Sequence, residues 1–519
     1  MTQQHERAQP DAWWRARGVR SGLLGSILIS LAMLTPGLVP NDILDTVAPL
    51  RWLRRVLEWQ VGRACLLVGL VLVFRAWLFL RPAANPNVHY GWVLALWSAP
   101  MLLVPPIFSS DAFLYADQAW IIHQGLDPYA DAGLADIGGP FADNVHEVWR
   151  GTTAVYPPLA LAVQYVMALV TGFHPYWSVI AMRVPALLAV AVLVWAVPRL
   201  ARSVGVNPRL AGWIGVLNPL ILLHFVGGAH NDAWMVALVV VAMLVVRRWG
   251  WAGMVLGALL VGVGAAFKQP GLIAALAVGL TPVAGRLGQL GLWRRILVMS
   301  GACGAALILA VGSFVAVSWA TFGFGWQQAT NIGELTWGMS PASVIEQIIG
   351  PVTGLFWDHG LLPFLARTFT VLAVLMVALL AWYYFFSDHI APKLVPRWSR
   401  HGAARQSDFT DHPIRWLAWS FMAVAFSGAG FHTWYLLWGS AYLGMLHYGN
   451  RILRWMVAAV IGFLVVEGGL EYYALRPIPG WILGAVLGWI FLARTRHLRI
   501  ADDEQLRPQP AARPKKVEI

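Results

Sequence analysis

A few polar residues stand out because the chain around them is so apolar. Asp111 ends the run Ile107-Phe108-Ser109-Ser110-Asp111, where an apolar stretch gives way to a long polar one. A carboxylate at that boundary, with two serines before it to orient it by hydrogen bonds, is either a functional group or a solvated surface carboxylate, and the residues alone weigh the two equally. Lys268, in Phe267-Lys268-Gln269-Pro270, is the only lysine between the N-terminus and Lys393. An ammonium at the end of an apolar helix either snorkels to the interface or meets a phosphate as a charge-assisted donor. Gly227-Gly228-Ala229-His230-Asn231-Asp232 sets three polar side chains between two apolar runs, where polar groups are expensive. They either cap a helix start or bind something.

The elements that must position these groups follow from composition. Of 519 residues 58% are apolar and 12% charged, with a mean hydropathy of +0.62. Soluble domains carry about 25% charged residues, so a soluble enzyme, a disordered scaffold and a DNA-binding domain are excluded. The expectation is an all-α polytopic membrane protein. Apolar runs lie near 21–39, 62–80, 90–107, 178–197, 210–227, 232–246, 251–267, 271–284, 296–320, 361–386, 413–428, 432–447, 453–468 and 479–493. The first has no small-residue cleavage pattern after it and reads as a span rather than a signal peptide. Cys65 and Cys303 sit inside apolar runs and read as packing residues.

Charge sets the topology. With the N-terminus cytoplasmic and 154–172 not crossing, the basic connections share one side: Arg199/Arg202/Arg209, Arg247/Arg248, Arg286/Arg294/Arg295, Lys393 to Arg405, Arg451/Arg454 and the tail. That places both termini in the cytoplasm of a multi-pass plasma membrane protein and accounts for most of the net +12. Tyr156–Gly172 is then a re-entrant or membrane-parallel helix begun by Pro157-Pro158, since Pro suits a first helical turn. Arg51, Arg54, Arg55 and Arg63 fall on the other side and are expected on an amphipathic interfacial helix. The outer side receives 108–152, with seven acidic residues against Arg150 alone, and 321–360. Asp117, Asp131, Asp136 and Asp143 read as solvated surface carboxylates. The organisation is a 1–20 tail, a 21–285 module containing loop 108–152, a 286–493 module containing loop 321–360, and a solvated basic tail, 494–519.

No P-loop, GxGxxG, HExxH or GxSxG stands in a suitable context. A reaction on the outer face without nucleotides needs an activated donor already across the membrane, and a lipid phosphate sugar meets that need. In order along 20–285 come Ser110-Asp111 to Tyr115-Ala116, Gly125-Leu126-Asp127-Pro128-Tyr129 and Val148-Trp149-Arg150-Gly151-Thr152. Tyr156-Pro157-Pro158-Leu159, Leu217-Asn218-Pro219-Leu220, Gly227 to Asp232 and Ala265-Ala266-Phe267-Lys268 follow. This ordered set resembles the GT-C superfamily, and within it the actinobacterial α-1,6-mannosyltransferases of lipomannan and lipoarabinomannan assembly. Pro157 departs from the Gly usual there. Asp111 lacks an adjacent acidic partner, so the paired metal-binding carboxylates are absent; no metal ligands are assigned and a divalent cation would have to bind without that motif.

The resemblance implies a GT-C fold of 13–14 spans, a polyprenyl-phosphate-mannose donor, a lipid-linked mannan acceptor, contact with membrane lipids and none with nucleic acid. It implies one inverting displacement with Asp111 as base. Lys268, His230, Asp232, Arg150 and Tyr156 would hold the donor phosphate and sugar, and Asp127, Tyr129, Trp149, His432 and Trp434 the acceptor. The alternatives are an arabinofuranosyl or other lipid-phosphate-sugar transferase on the same architecture, or a polyprenyl-lipid flippase or transporter.

Overall fold

The computed structural model describes residues 13–35, 41–84, 87–325, 340–354, 361–394, 409–427, 430–473 and 477–509, and every regular element among them is helical. The chain is an integral membrane protein. Among the described residues, five helices are long and apolar enough to cross a membrane: Trp59–Phe79, Pro175–Ser203, Asp232–Ala265, Leu292–Ala320 and Leu362–Asp388. Their outer faces leave Leu188, Leu297, Ile308 and Leu375 more than half exposed, a surface suited to lipid.

Asp232–Ala265 is a hairpin rather than one rod. Gly250 turns it with φ +56° and ψ −123°, a conformation open to glycine. A Cβ on Gly253 would stand 2.3 Å from the Val245 carbonyl oxygen, so the two arms touch backbone to backbone. The apolar runs 232–246 and 251–267 are these two arms, and Asp232 and Lys268 therefore return to the same end. Close glycine contacts also join Arg17–Ala32 to Trp59–Phe79, where a Cβ on Gly69 would meet the Gly25 carbonyl oxygen at 2.8 Å. Small residues allow such approach where no hydrophobic force drives helices together.

The segment after Pro157 forms one helix, Pro158–Val170. Its 13 residues extend roughly 20 Å, too short for a hydrocarbon core of about 30 Å. Four runs expected as single spans are broken instead, among them 271–284, a 3-10 turn, Gln269–Ile273, continued by Ala274–Leu280. Run 90–107 is the helix Tyr90–Ser98 followed by a 3-10 turn, Ala99–Met101. Run 210–227 is the helix Pro208–Gly215 and a π-helical turn, Ile221–Gly227, interrupted at Asn218-Pro219 where proline removes a donor. Run 432–447 is a 3-10 turn, Thr433–Tyr435, continued by Leu436–Leu443. The interfacial helix expected for Arg51, Arg54, Arg55 and Arg63 is Ala48–Val56 for the first three, with Arg54 paired with Asp45 at 2.9 Å, whereas Arg63 lies in the spanning helix Trp59–Phe79, which corrects that expectation.

The bundle has two chemically distinct ends. At one, the Arg247 guanidinium bonds the carbonyl oxygens of Ser203 and Thr410 and pairs with Asp411 at 3.2 Å. The tail after Arg494 is not simply solvated, which corrects the expectation. Ile500 and Ala501 are fully buried, and Asn450 Oδ1 accepts their N–H groups at 2.8 and 3.1 Å. Arg81 Nε donates to the Arg499 carbonyl and the Gln509 N–H to the Gly205 carbonyl, both at 2.8 Å. A short backbone path with unpaired carbonyls and an asparagine fork suffices to hold a polar tail down. Residues 510–519, all of 395–408 with its basic run, and parts of 321–360 lie outside the described residues; within the last, Pro341–Thr353 is helical.

Gly262 tests another contact of this kind, since a Cβ there would stand 2.2 Å from the Ala310 carbonyl oxygen of Leu292–Ala320. Gly262→Ala is expected to destabilise the detergent-solubilised protein by about 1–3 kcal/mol, read as a lower Tm. Gly301→Ala, with no heavy atom within 4 Å of its Cβ position, should leave Tm unchanged or slightly raised.

Candidate active site

The other end of the bundle gathers the ionisable groups. Asp111 opens the helix Asp111–His123, its N–H held by Ser109 Oγ at 3.0 Å. A carboxylate at a helix N-terminus is favoured by the dipole. Its Oδ2 accepts from the Tyr156 hydroxyl at 3.0 Å and the Tyr115 hydroxyl at 3.4 Å. His230 Nδ1 lies 3.3 Å from the same oxygen. All three contacts fall on Oδ2 and none on Oδ1, while the side chain keeps 10% exposure. Burial pushes the carboxyl up, but His230, then His432 and Lys268, outweigh it and hold Asp111 below the ordinary carboxylate range.

Lys268 faces the same space. Its Nζ lies 4.0 Å from Asp232 Oδ2, 4.9 Å from the Tyr156 ring centre and 5.2 Å from that of Tyr435. Burial lowers the ammonium, but Asp232, Tyr435 and Asp111 outweigh it and hold the lysine protonated, above its ordinary value. Asp232 is anchored by Trp438 Nε1, 2.6 Å from Oδ1. Trp434 stacks on His230 at 3.8 Å between ring centres and on His432 at 4.3 Å. Asp111, Tyr156, His230, Asp232, Lys268, His432 and Trp434 are thus brought together from five separate stretches of sequence.

The backbone beneath them is strained and tied down. Phe108 and Ala229 adopt φ of +56° and +58°, a left-handed region that non-glycine residues enter at a cost of about 1–3 kcal/mol. The two strained segments are joined by the Ile107 N–H, which donates to the Gly227 carbonyl at 3.0 Å. Arg183 clamps both: its Nε donates to the Val226 carbonyl at 3.2 Å, and its NH2 to the carbonyls of Pro105 and Gly227 at 2.9 and 3.0 Å. Gly228 is required beside them, because a Cβ there would stand 2.8 Å from His230 Nε2.

Other expected site residues go elsewhere. Arg150 is exposed, and its guanidinium folds back on the carbonyls of Val145 and Asp143 at 3.0 and 2.8 Å. Asp127 is exposed and caps its own turn, accepting the Tyr129 N–H at 2.8 Å. Tyr129 is buried and donates to the Tyr156 carbonyl at 2.7 Å, so it supports the site from behind. Trp149 is partly buried against the loop. Asp117 corrects its reading as a surface carboxylate: it is fully buried, with Oδ2 accepting the Ala135 N–H at 2.9 Å. The helical twist turns this residue of Asp111–His123 into the folded loop.

Sequence reasoning passed over Tyr115, Tyr435, Trp438 and Arg183 as site residues. For Arg183 a signal was present: it is the only Lys, Arg, Asp or Glu between Pro175 and Pro198, and a charge inside an apolar run marks function or a buried clamp. The tyrosines and Trp438 had no such signal among so many aromatics. Among the described residues no group of three or more His, Cys, Asp or Glu side chains is gathered in metal-binding fashion.

The chain is thus a helical membrane protein in which a carboxylate held by three partners and a lysine held near a second carboxylate share one largely buried cluster. Residues 19–284 match the family described as "Alpha-(1->6)-mannopyranosyltransferase, N-terminal domain", just over half of the sequence, and the chain belongs to that family. Relatives include alpha-(1->6)-mannopyranosyltransferase A of Mycobacterium tuberculosis, 29% identical over 85% of this chain and 82% of that one. The Corynebacterium glutamicum enzymes A and B are 28% and 25% identical, over 63% and 94% of this chain and 71% and 82% of their own lengths. Among solved structures, the oligosaccharyltransferase of Archaeoglobus fulgidus aligns with 86% of this chain and 57% of that one, at 14% identity and a TM-score of 0.33.

Two tests address the framework. Arg183→Lys is expected to lower Tm and turnover together, since one ammonium cannot replace a fork spanning three carbonyls. For Asp117, burial raises the carboxyl to about 6. A raised carboxyl pKa means the native state holds its proton more tightly, so this contribution to stability is present below the ordinary value and lost as pH rises through about 6. Asp117→Asn should therefore flatten the decline in Tm of the wild-type protein between acid and neutral pH.

Proposed function

We propose that this protein transfers mannose from polyprenyl-phosphate-mannose to the 6-hydroxyl of a growing α-1,6-linked mannan, the backbone of lipomannan. Family membership supports the mannosyl transfer. The face away from the cytoplasm is favoured because Arg247, Arg295 and the basic tail cluster at the end opposite Asp111. Both termini then lie in the cytoplasm.

The observation that carries the reading is the state of Asp111, tied through Oδ2 and open at Oδ1. A β-linked donor and an α-linked product require one inverting displacement. The acceptor oxygen bonds the anomeric carbon as the bond from that carbon to the phosphate oxygen breaks. The hydroxyl proton passes to Asp111, and polyprenyl phosphate leaves as an anion that needs no protein acid. A glycosidase needs a second carboxyl because its leaving alkoxide must be protonated. Lys268 sits where it can pair with the phosphate as charge builds there, and Asp232, held by Trp438, keeps it charged and aimed. Tyr156 orients the base and offers its ring to the lysine. His432 and Trp434 form an aromatic wall fit to pack against a sugar, and the prenyl chain would lie between helices.

The test incubates purified protein with polyprenyl-phosphate-mannose and a short α-1,6-mannan and looks for a gain of one hexose. Asp111→Asn should cut kcat by about 10²–10⁴-fold with donor binding preserved; a wild-type rate in that variant would remove the base assignment. Lys268→Gln should instead raise the KM for donor as well as lower kcat. No hexose transfer with this donor, but pentose transfer from the corresponding arabinosyl phosphate, would reassign the substrate.

A further inference from the structure

We infer that the basic end of the bundle carries a binding site for an anionic phospholipid headgroup, separate from the candidate active site. The helices Asn450–Tyr473 and Pro477–Arg494 pack side by side, and where the first begins and the second ends they leave a cleft. It is lined by Arg451, Arg454, Arg496, Trp455, Trp489, Leu492 and Ala493, and by no acidic residue.

Three arginines with no carboxylate among them repel one another unless an anion arrives. The side chains of Arg451 and Arg496 form no hydrogen bond or ion pair among the described residues. Arg454 spends one N–H on the Leu498 carbonyl at 3.3 Å, which fixes its guanidinium at the rim and leaves other donors free. The planar fork of arginine matches the oxygens of a phosphate. The docked tail, held through Asn450, braces this arrangement from the side.

The surroundings select a lipid. Trp455 and Trp489 are 52% and 66% exposed at the cleft, the position of an interfacial aromatic belt. Further along Pro477–Arg494, the exposed face runs through Val486, Leu487, Leu483 and Ile482, an apolar strip suited to acyl chains. Arginines, then tryptophans, then an aliphatic strip reproduce in order the phosphate, interface and tails of a membrane lipid. Basic recesses between membrane helices on the positively charged side are fitted to such headgroups.

The experiment compares lipid retention by the full-length protein, solubilised from vesicles of equal phosphatidylglycerol and phosphatidylcholine and examined by native mass spectrometry. Wild type should retain phosphatidylglycerol in preference. The double variant Arg451→Gln/Arg496→Gln, which leaves the Arg454–Leu498 bond in place, should reduce that preference about tenfold or more. Arg294→Gln, an exposed arginine of the same charge pattern outside the cleft, should not change it. Tm of the double variant, measured in parallel, reports folding. Equal retention of the two lipids by wild type, or a folded double variant with undiminished preference, would overturn the proposal.

Discussion

Keeping one carboxylate ionised in a nearly dry site is the constraint on which the rest of this end of the bundle depends. Removing a charge from water is expensive unless it is paired and hydrogen-bonded. Asp111 meets the requirement through two hydroxyls and a histidine on one oxygen. Each of those partners brings its own demand: Tyr156 is set by Tyr129 behind it, and His230 is stacked on Trp434, which also stacks on His432. Lys268 adds the balancing positive charge, and it in turn has Asp232 and Trp438. The outcome is a cluster in which two carboxylates share one lysine and one oxygen of Asp111 stays uncommitted.

Holding such a cluster takes backbone that is not free to relax. Two left-handed non-glycine residues, a π-helical turn and a broken helix surround it. Strain of this kind persists only where neighbours over-determine the conformation, and Arg183 does so by binding three carbonyls across the two loops. The long regular helices lie around this irregular centre, with lipid-facing side chains outward and close glycine contacts inward. Rigidity thus comes from the periphery and special geometry from the middle.

The opposite end uses charge differently. Arg247 and Arg295 pair with Asp411 and Asp388 and with backbone carbonyls, locking connections together, and the tail returns to lie across three of them. The arginine cleft differs in gathering three guanidinium groups with no carboxylate among its lining residues. Residues that serve topology in most of these connections are left there to face the membrane surface.

Membership of the class was legible in the sequence, because the hydrocarbon core demands long uncharged runs and those can be counted directly. So were Asp111, Lys268 and the His230–Asp232 turn, since a polar group beside hydrocarbon is conspicuous in one dimension. The Gly250 hairpin was legible too, because it separates two apolar runs by basic residues. What only the tertiary structure decided was which conspicuous residues meet. Arg150 and Asp127 stand in the same polar loop as Asp111, yet they spend their hydrogen bonds on their own turns. Asp117 looked solvated because its neighbours are polar, but helical twist buries it. Tyr115, Tyr435 and Trp438 are ordinary aromatics until folding aims a hydroxyl or an indole N–H at a carboxylate, or a ring at the lysine. Composition and spacing report what each residue costs to place, whereas direction and distance arise only when separate stretches pack.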